Sequence, residues 1–106
     1  MAQIRWTVKA DRLFDKYVFN AFLEYGAKTS KKWMQERITF ANRVAKYPES
    51  YTLEPILISK KHEYRSCQIL QRFKIVYYYA KSSDIVHIVD IWDTRMNPDN
   101  LKQRIY

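Results

Sequence analysis

The chain has 106 residues, 47% of them apolar, with one glycine, three prolines and one cysteine. That fits a single domain with a real core, without an intramolecular disulfide or a long flexible linker. Nineteen basic against 11 acidic residues give a net charge of +8, which points to polyanions or an acidic protein as partners. No apolar run approaches the roughly 18 residues of a membrane span, and the first residues hold no signal core. One Cys with two His is a poor basis for zinc. A cytoplasmic protein with no metal and no cofactor is expected.

Residues 3–8, QIRWTV, alternate, with Ile4, Trp6 and Val8 opposed to Gln3, Arg5 and Thr7. This is the period of a half-buried strand, and Thr7 is a candidate cap for the adjoining helix. The period then changes. Ala10, Leu13, Phe14, Tyr17, Val18, Ala21, Phe22 and Tyr25 fall at helical spacing. They end at Gly26, the only glycine, where a left-handed C-cap is expected. A second helix is expected from Thr29 or Ser30 through Met34, Ile38, Ala41 and Ala45, flanked by Trp33, Phe40 and Val44. It ends by Tyr47, ahead of Pro48. A link of a few residues makes the two helices an antiparallel hairpin.

Residues 48–62 read as a loop or ragged strand broken by Pro48 and Pro55. Strands are expected over 63–70, 73–80 and 85–92, joined by turns at Gln71-Arg72 and Lys81–Asp84, hence an antiparallel meander. The fold class is α+β in the order β-α-α-β-β-β, a helix hairpin on one face of a small antiparallel sheet, over residues 1–106. In the last strand, alternation puts Ile85, His87, Val89 and Ile91 on one face and Val86, Ile88, Asp90 and Trp92 on the other. His87, among apolar neighbours, reads as a hydrogen-bonded core histidine. Tyr77, Tyr78 and Tyr79 divide between the faces, and core is the better reading for each.

This order, with IRWTVKA leading into the first helix and then EYRSCQIL, FKIVYY and IVHIVDIWDTRMNP, resembles the RelE/ParE superfamily of bacterial type II toxin–antitoxin toxins. The resemblance covers nearly the whole chain. It implies a small basic cytoplasmic toxin neutralised by an acidic antitoxin, with one of two activities. The first is cleavage of mRNA at the ribosome without a metal, the RNA's own 2′-hydroxyl attacking the adjacent phosphate. The alternative is inhibition of DNA gyrase by binding alone.

By position, Arg65, Lys74 and Arg95 match cationic residues of the nuclease members and form the candidate catalytic set, expected on one cleft. That chemistry needs cations on a pentavalent phosphorane, and the guanidinium fork suits phosphate oxygens. Lys60, Lys61 and His62, just before the sheet, are candidate RNA-binding residues, and His62 is also a candidate general base. Two departures favour the gyrase alternative. Cys67 stands where some members carry a second lysine, and no tyrosine follows Arg95 until Tyr106. In that alternative the helix hairpin and residues 96–106 carry the function.

Overall fold

A computed structural model describes residues 1–105; Tyr106 lies outside the described residues. Thr7 separates the first strand from the first helix. Its hydroxyl oxygen accepts from the Ala10 N–H at 3.1 Å. β1 is therefore Gln3–Trp6 and α1 is Val8–Tyr25. Gly26 comes next at φ +91°, a conformation that side chains disfavour, and its N–H donates to the Phe22 carbonyl at 2.8 Å. α2, Ala27–Lys46, starts on the next residue. One glycine makes the whole link, where a longer loop ending in a Thr29 or Ser30 cap was expected. Both of those residues lie inside the first turn of α2, where Ser30 donates to the Ala27 carbonyl at 2.9 Å instead of capping.

β2 (Arg65–Ile69), β3 (Phe73–Ala80) and β4 (Ile85–Asp93) form the expected antiparallel meander. β1 adds a parallel edge beside β4, giving the order β1-β4-β3-β2. The α1–α2 hairpin is the long crossover that a parallel pair needs. The hairpin covers one sheet face, packing Phe14, Trp33, Phe40 and Val44 on Ile69, Phe73, Ile75, Tyr77, Val86, Ile88 and Ile91. Its rings meet edge to face, Phe14 to Trp33 at 5.5 Å and Trp33 to Phe73 at 4.6 Å. Tyr77 is fully buried there. Its hydroxyl donates to the Pro48 carbonyl at 2.8 Å, and burial pushes its pKa up to about 12.

Two features alter what alternation and turn signals suggest. The β3–β4 register shifts so that Val76 faces Asp90 and Tyr77 faces Ile88, leaving Val89 without a partner. This bulge resets the alternation. Val86, Ile88 and Ile91 therefore share the helix-covered face, while Val89 and Trp92 lie on the other. The exit after β4 is also more than a turn. Pro98–Arg104 form α3, capped by Asn97, whose side chain accepts from the Asp99 N–H at 3.0 Å. Leu101 and Ile105 pack on the open side of the sheet with Trp92, Val76, Tyr64 and Leu57, the last from a 3-10 turn at Pro55–Leu57. Arg104 there meets the buried Asp90 carboxylate, which Lys9 also approaches at 3.5 Å. No helix among the described residues is long and apolar enough to cross a membrane.

Candidate functional site

Strand alternation separates the three cations expected on one cleft. β2 pairs with β3 without a break, Arg65 opposite Tyr77 and Gln68 opposite Lys74. Directly opposed residues share a face. Tyr77 packs under the helices, so Arg65 lies on that side and Lys74 on the other. Arg65 donates to the Tyr51 carbonyl at 2.8 Å and stands 3.6 Å from Glu49. Lys74 donates to Glu54 at 2.7 Å. Glu54 is buried and also accepts from the Ser66 hydroxyl at 3.2 Å and the Ile56 N–H at 3.3 Å, which anchors the 48–62 segment.

Arg95 forks onto Asp93, Nε at 3.3 Å and Nη2 at 3.0 Å, and these bonds hold the Asp93 carboxyl below the usual carboxylate range. It lines a groove of about 840 Å³ on the helix side with Tyr17, Tyr25, Lys32 and Arg72. The expected single cleft of Arg65, Lys74 and Arg95 is thus not assembled, and each of them stands beside a carboxylate. Cys67 faces the helices, buried, its thiol pushed up by that burial.

What the open face brings together is aromatic. His62, from the segment before β2, stacks on Tyr78 of β3 at 3.9 Å with planes 2° apart. Tyr78 stacks in turn on His87 of β4 at 4.8 Å and 19°. Tyr64 closes the group edge-on to His62 and Tyr78. Tyr78 and His87 are direct cross-strand partners on one face, close enough to stack. All three rings of the row are half-buried. Among the described residues no hydrogen bond engages either imidazole or the Tyr78 hydroxyl, whereas Tyr77 and Tyr79 are both bonded through theirs. Lys61, His62, Tyr64, Tyr78 and Val89 line a pocket of about 420 Å³ beside the row. Lys60 precedes it in the same bend, its N–H donating to the Leu57 carbonyl at 3.1 Å. Arg5 of β1 pairs with His87. Burial first, then Arg5 and His62, hold the His87 imidazole below its ordinary pKa.

His87 is therefore not the hydrogen-bonded core histidine that its apolar neighbours suggested. The signal was available: the four-residue turn Lys81–Asp84 opposes Ala80 to Ile85, and counting back opposes Tyr78 to His87. Tyr78 likewise leaves the core, as does Tyr79 in part, while Tyr77 fills it. Among the described residues no three His, Cys, Asp or Glu side chains converge as metal ligands.

No family model matches the sequence, and no curated protein is significantly similar to it. Solved structures are similar in fold. A chain of the chromosomal ParDE TA system from P. aeruginosa superposes with a TM-score of 0.68 at 15% identity, covering 88% of this chain and 96% of that one. A metal-bound toxin from Helicobacter pylori superposes with a TM-score of 0.65 at 17% identity, covering 90% and 97%. The chain has the RelE/ParE-like fold anticipated from its residues.

Proposed function

We propose that the chain is the toxin of a bacterial type II toxin–antitoxin pair, acting in the cytoplasm as an endonuclease on mRNA at the ribosome. Its working surface is the open sheet face around Tyr78. The shared fold supports the toxin reading. The observation that carries the RNA reading is the half-exposed His62–Tyr78–His87 row with Lys61 beside it. Single-stranded RNA is bound by aromatic rings and cations together. When the RNA's own 2′-hydroxyl is the nucleophile, the protein need supply only proton transfer and positive charge. The net charge of +8 fits both the polyanionic substrate and an acidic antitoxin.

The test is tightly induced expression without antitoxin, following methionine and thymidine incorporation in parallel. Methionine incorporation is expected to collapse within minutes while thymidine continues, with new mRNA 5′ ends appearing. A fall in thymidine first overturns the reading. It would favour the second one, a gyrase-binding toxin without chemistry. Two observations speak for that alternative. Arg65, Lys74 and Arg95 are each paired with a carboxylate in place. The helix hairpin also exposes Phe19, Leu23 and Ile38 at 60%, 65% and 52%, a surface suited to a protein target.

A further inference from the structure

We infer that two copies of this chain pair through the outer face of α1, the two α1 helices lying antiparallel across a twofold axis. Helical spacing sets the face. Val8, Arg12, Asp15, Phe19 and Phe22 follow one another at alternate steps of four and three residues, which keeps them in one narrow stripe, and Leu23 borders it. Ala10, Phe14 and Ala21 lie on the opposite side of the helix, buried against the sheet. The stripe therefore points away from the core. Val8, Phe19, Phe22 and Leu23 are 66%, 60%, 49% and 65% exposed. Met34 and Ile38, one turn apart on α2, are 46% and 52% exposed.

Charge decides the occupant. The chain carries a net +8, but α1 does not share in it: Lys9, Arg12 and Lys16 balance Asp11, Asp15 and Glu24. α2, by contrast, has six basic residues against one acidic one. RNA or an acidic protein is drawn to cationic surfaces and finds no net charge to meet on α1. A neutral apolar face fits another of its kind, and this one fits itself. Antiparallel pairing that sets Val8 against Leu23 of the second copy also sets Asp15 against Lys16 and Arg12 against the Phe19 ring, and symmetry makes each contact twice. Among the described residues no ion pair within the chain engages Arg12, Asp15 or Lys16. Asp11, outside the stripe, is already taken by Arg37 at 2.9 Å.

The face is also large enough. An aromatic side chain buries about 150–250 Å² in full, so the six half-exposed apolar residues offer roughly 600 Å² per copy. Apolar patches beyond a few hundred Å² mark interaction sites. With Arg12, Asp15 and Lys16 added, the area approaches the roughly 800 Å² per partner of a standard interface. The helices then stand between the sheets and the twofold axis. Both open sheet faces, each with its Tyr78 row, point outward and stay clear. Pairing is therefore compatible with either target of the toxin reading.

The experiment is sedimentation velocity with light scattering on the purified full chain, from low micromolar to several hundred micromolar, for wild type, F19D, D15K and the charge swap D15K/K16D. All three variants change exposed side chains, and circular dichroism confirms that each is folded. Wild type is expected to pass from 12.9 kDa to twice that mass as concentration rises. F19D, at the middle of the stripe, should raise the dissociation constant about 30-fold or more, the share of one interface hot spot. D15K should raise it about tenfold by setting lysine against lysine, and the charge swap should restore it to near the wild-type value. Wild type that stays monomeric at several hundred micromolar overturns the inference and leaves the stripe to a different protein, such as the gyrase of the alternative reading. A dimer that F19D leaves unmoved places the interface elsewhere and overturns it too. A charge swap as weak as D15K alone overturns the antiparallel arrangement. None of these masses depends on which macromolecule the chain attacks, so the labelling test and this one fail separately.

Discussion

The two faces of the sheet are built from alternate residues of the same strands, and they solve opposite problems. The helix-covered face is dry and aromatic, and the hydroxyl of its fully buried tyrosine, Tyr77, is bonded to Pro48. The open face carries a smaller core of Leu57, Val76, Trp92 and Leu101. Around that core it holds two buried carboxylates with their cations and a row of unbonded imidazole and phenol edges. Polar groups half-removed from water cost stability. A face that accumulates them, while its twin does not, is the face to suspect of function.

The contrast is broken most directly from the dry side. Phe14→Ala removes a fully buried ring that meets both Trp6 and Trp33. It should cost about 3–5 kcal/mol in urea unfolding, as large-to-small aromatic changes in cores do. On the open face, Glu54→Gln leaves Lys74, Ser66 and the Ile56 N–H with a weaker acceptor. That change should cost about 2 kcal/mol. The double variant Glu54→Gln, Lys74→Met should recover part of that loss, since the unpaired cation is gone. If Glu54→Gln matched Phe14→Ala, the open face would be as much a stability element as the other.

Much of this was legible in the sequence. The period of α1, the Thr7 cap and Gly26 as its end are local signals, and the structure follows them. So does the meander, because strands and turns alternate plainly. Other features are non-local or sit at odds with a simple count. The bulge at Val89 exists only in the pairing with β3, so no alternation within β4 reveals it. α3 was marked by Asn97 as cap and Pro98 at its first turn, signals that also mark a turn. Arg65 and Lys74 are separated by parity across a hairpin. Matching positions one at a time placed both residues without asking which way each strand faces.

A smaller effect comes through pH. The His87 imidazole sits below its ordinary pKa in the folded chain, so between that value and the ordinary one the unfolded chain binds more protons. Stability from this residue is therefore present above the ordinary histidine pKa, near 6.5, and is lost as pH falls below it. Urea midpoints measured from pH 7.5 to 5 should decline, and H87Q should flatten the decline. A decline of the same slope in H87Q would mean that the environment of His87 is not the constrained one inferred, and the open row would lose its special standing.

Arg95 gives the smallest effect on stability and the sharpest contrast between faces. Its guanidinium is exposed and its partner Asp93 lies at the strand end, so the pair is screened by water. Asp93 is held low by Arg95, so its contribution is present above the ordinary carboxylate pKa and lost as pH falls through the lowered value. Arg95→Ala should remove that acid-limb dependence and leave the neutral-pH melting temperature almost unchanged. On the RNA-cleaving reading it should also leave cleavage intact, because Arg95 lines the helix-side groove with Tyr17 and Tyr25, across the sheet from the Tyr78 row. Were Arg95→Ala to abolish cleavage, the phosphate would have to sit in that groove. The sequence-based placement of Arg95 at the reacting phosphate would then hold, and the two faces would exchange roles.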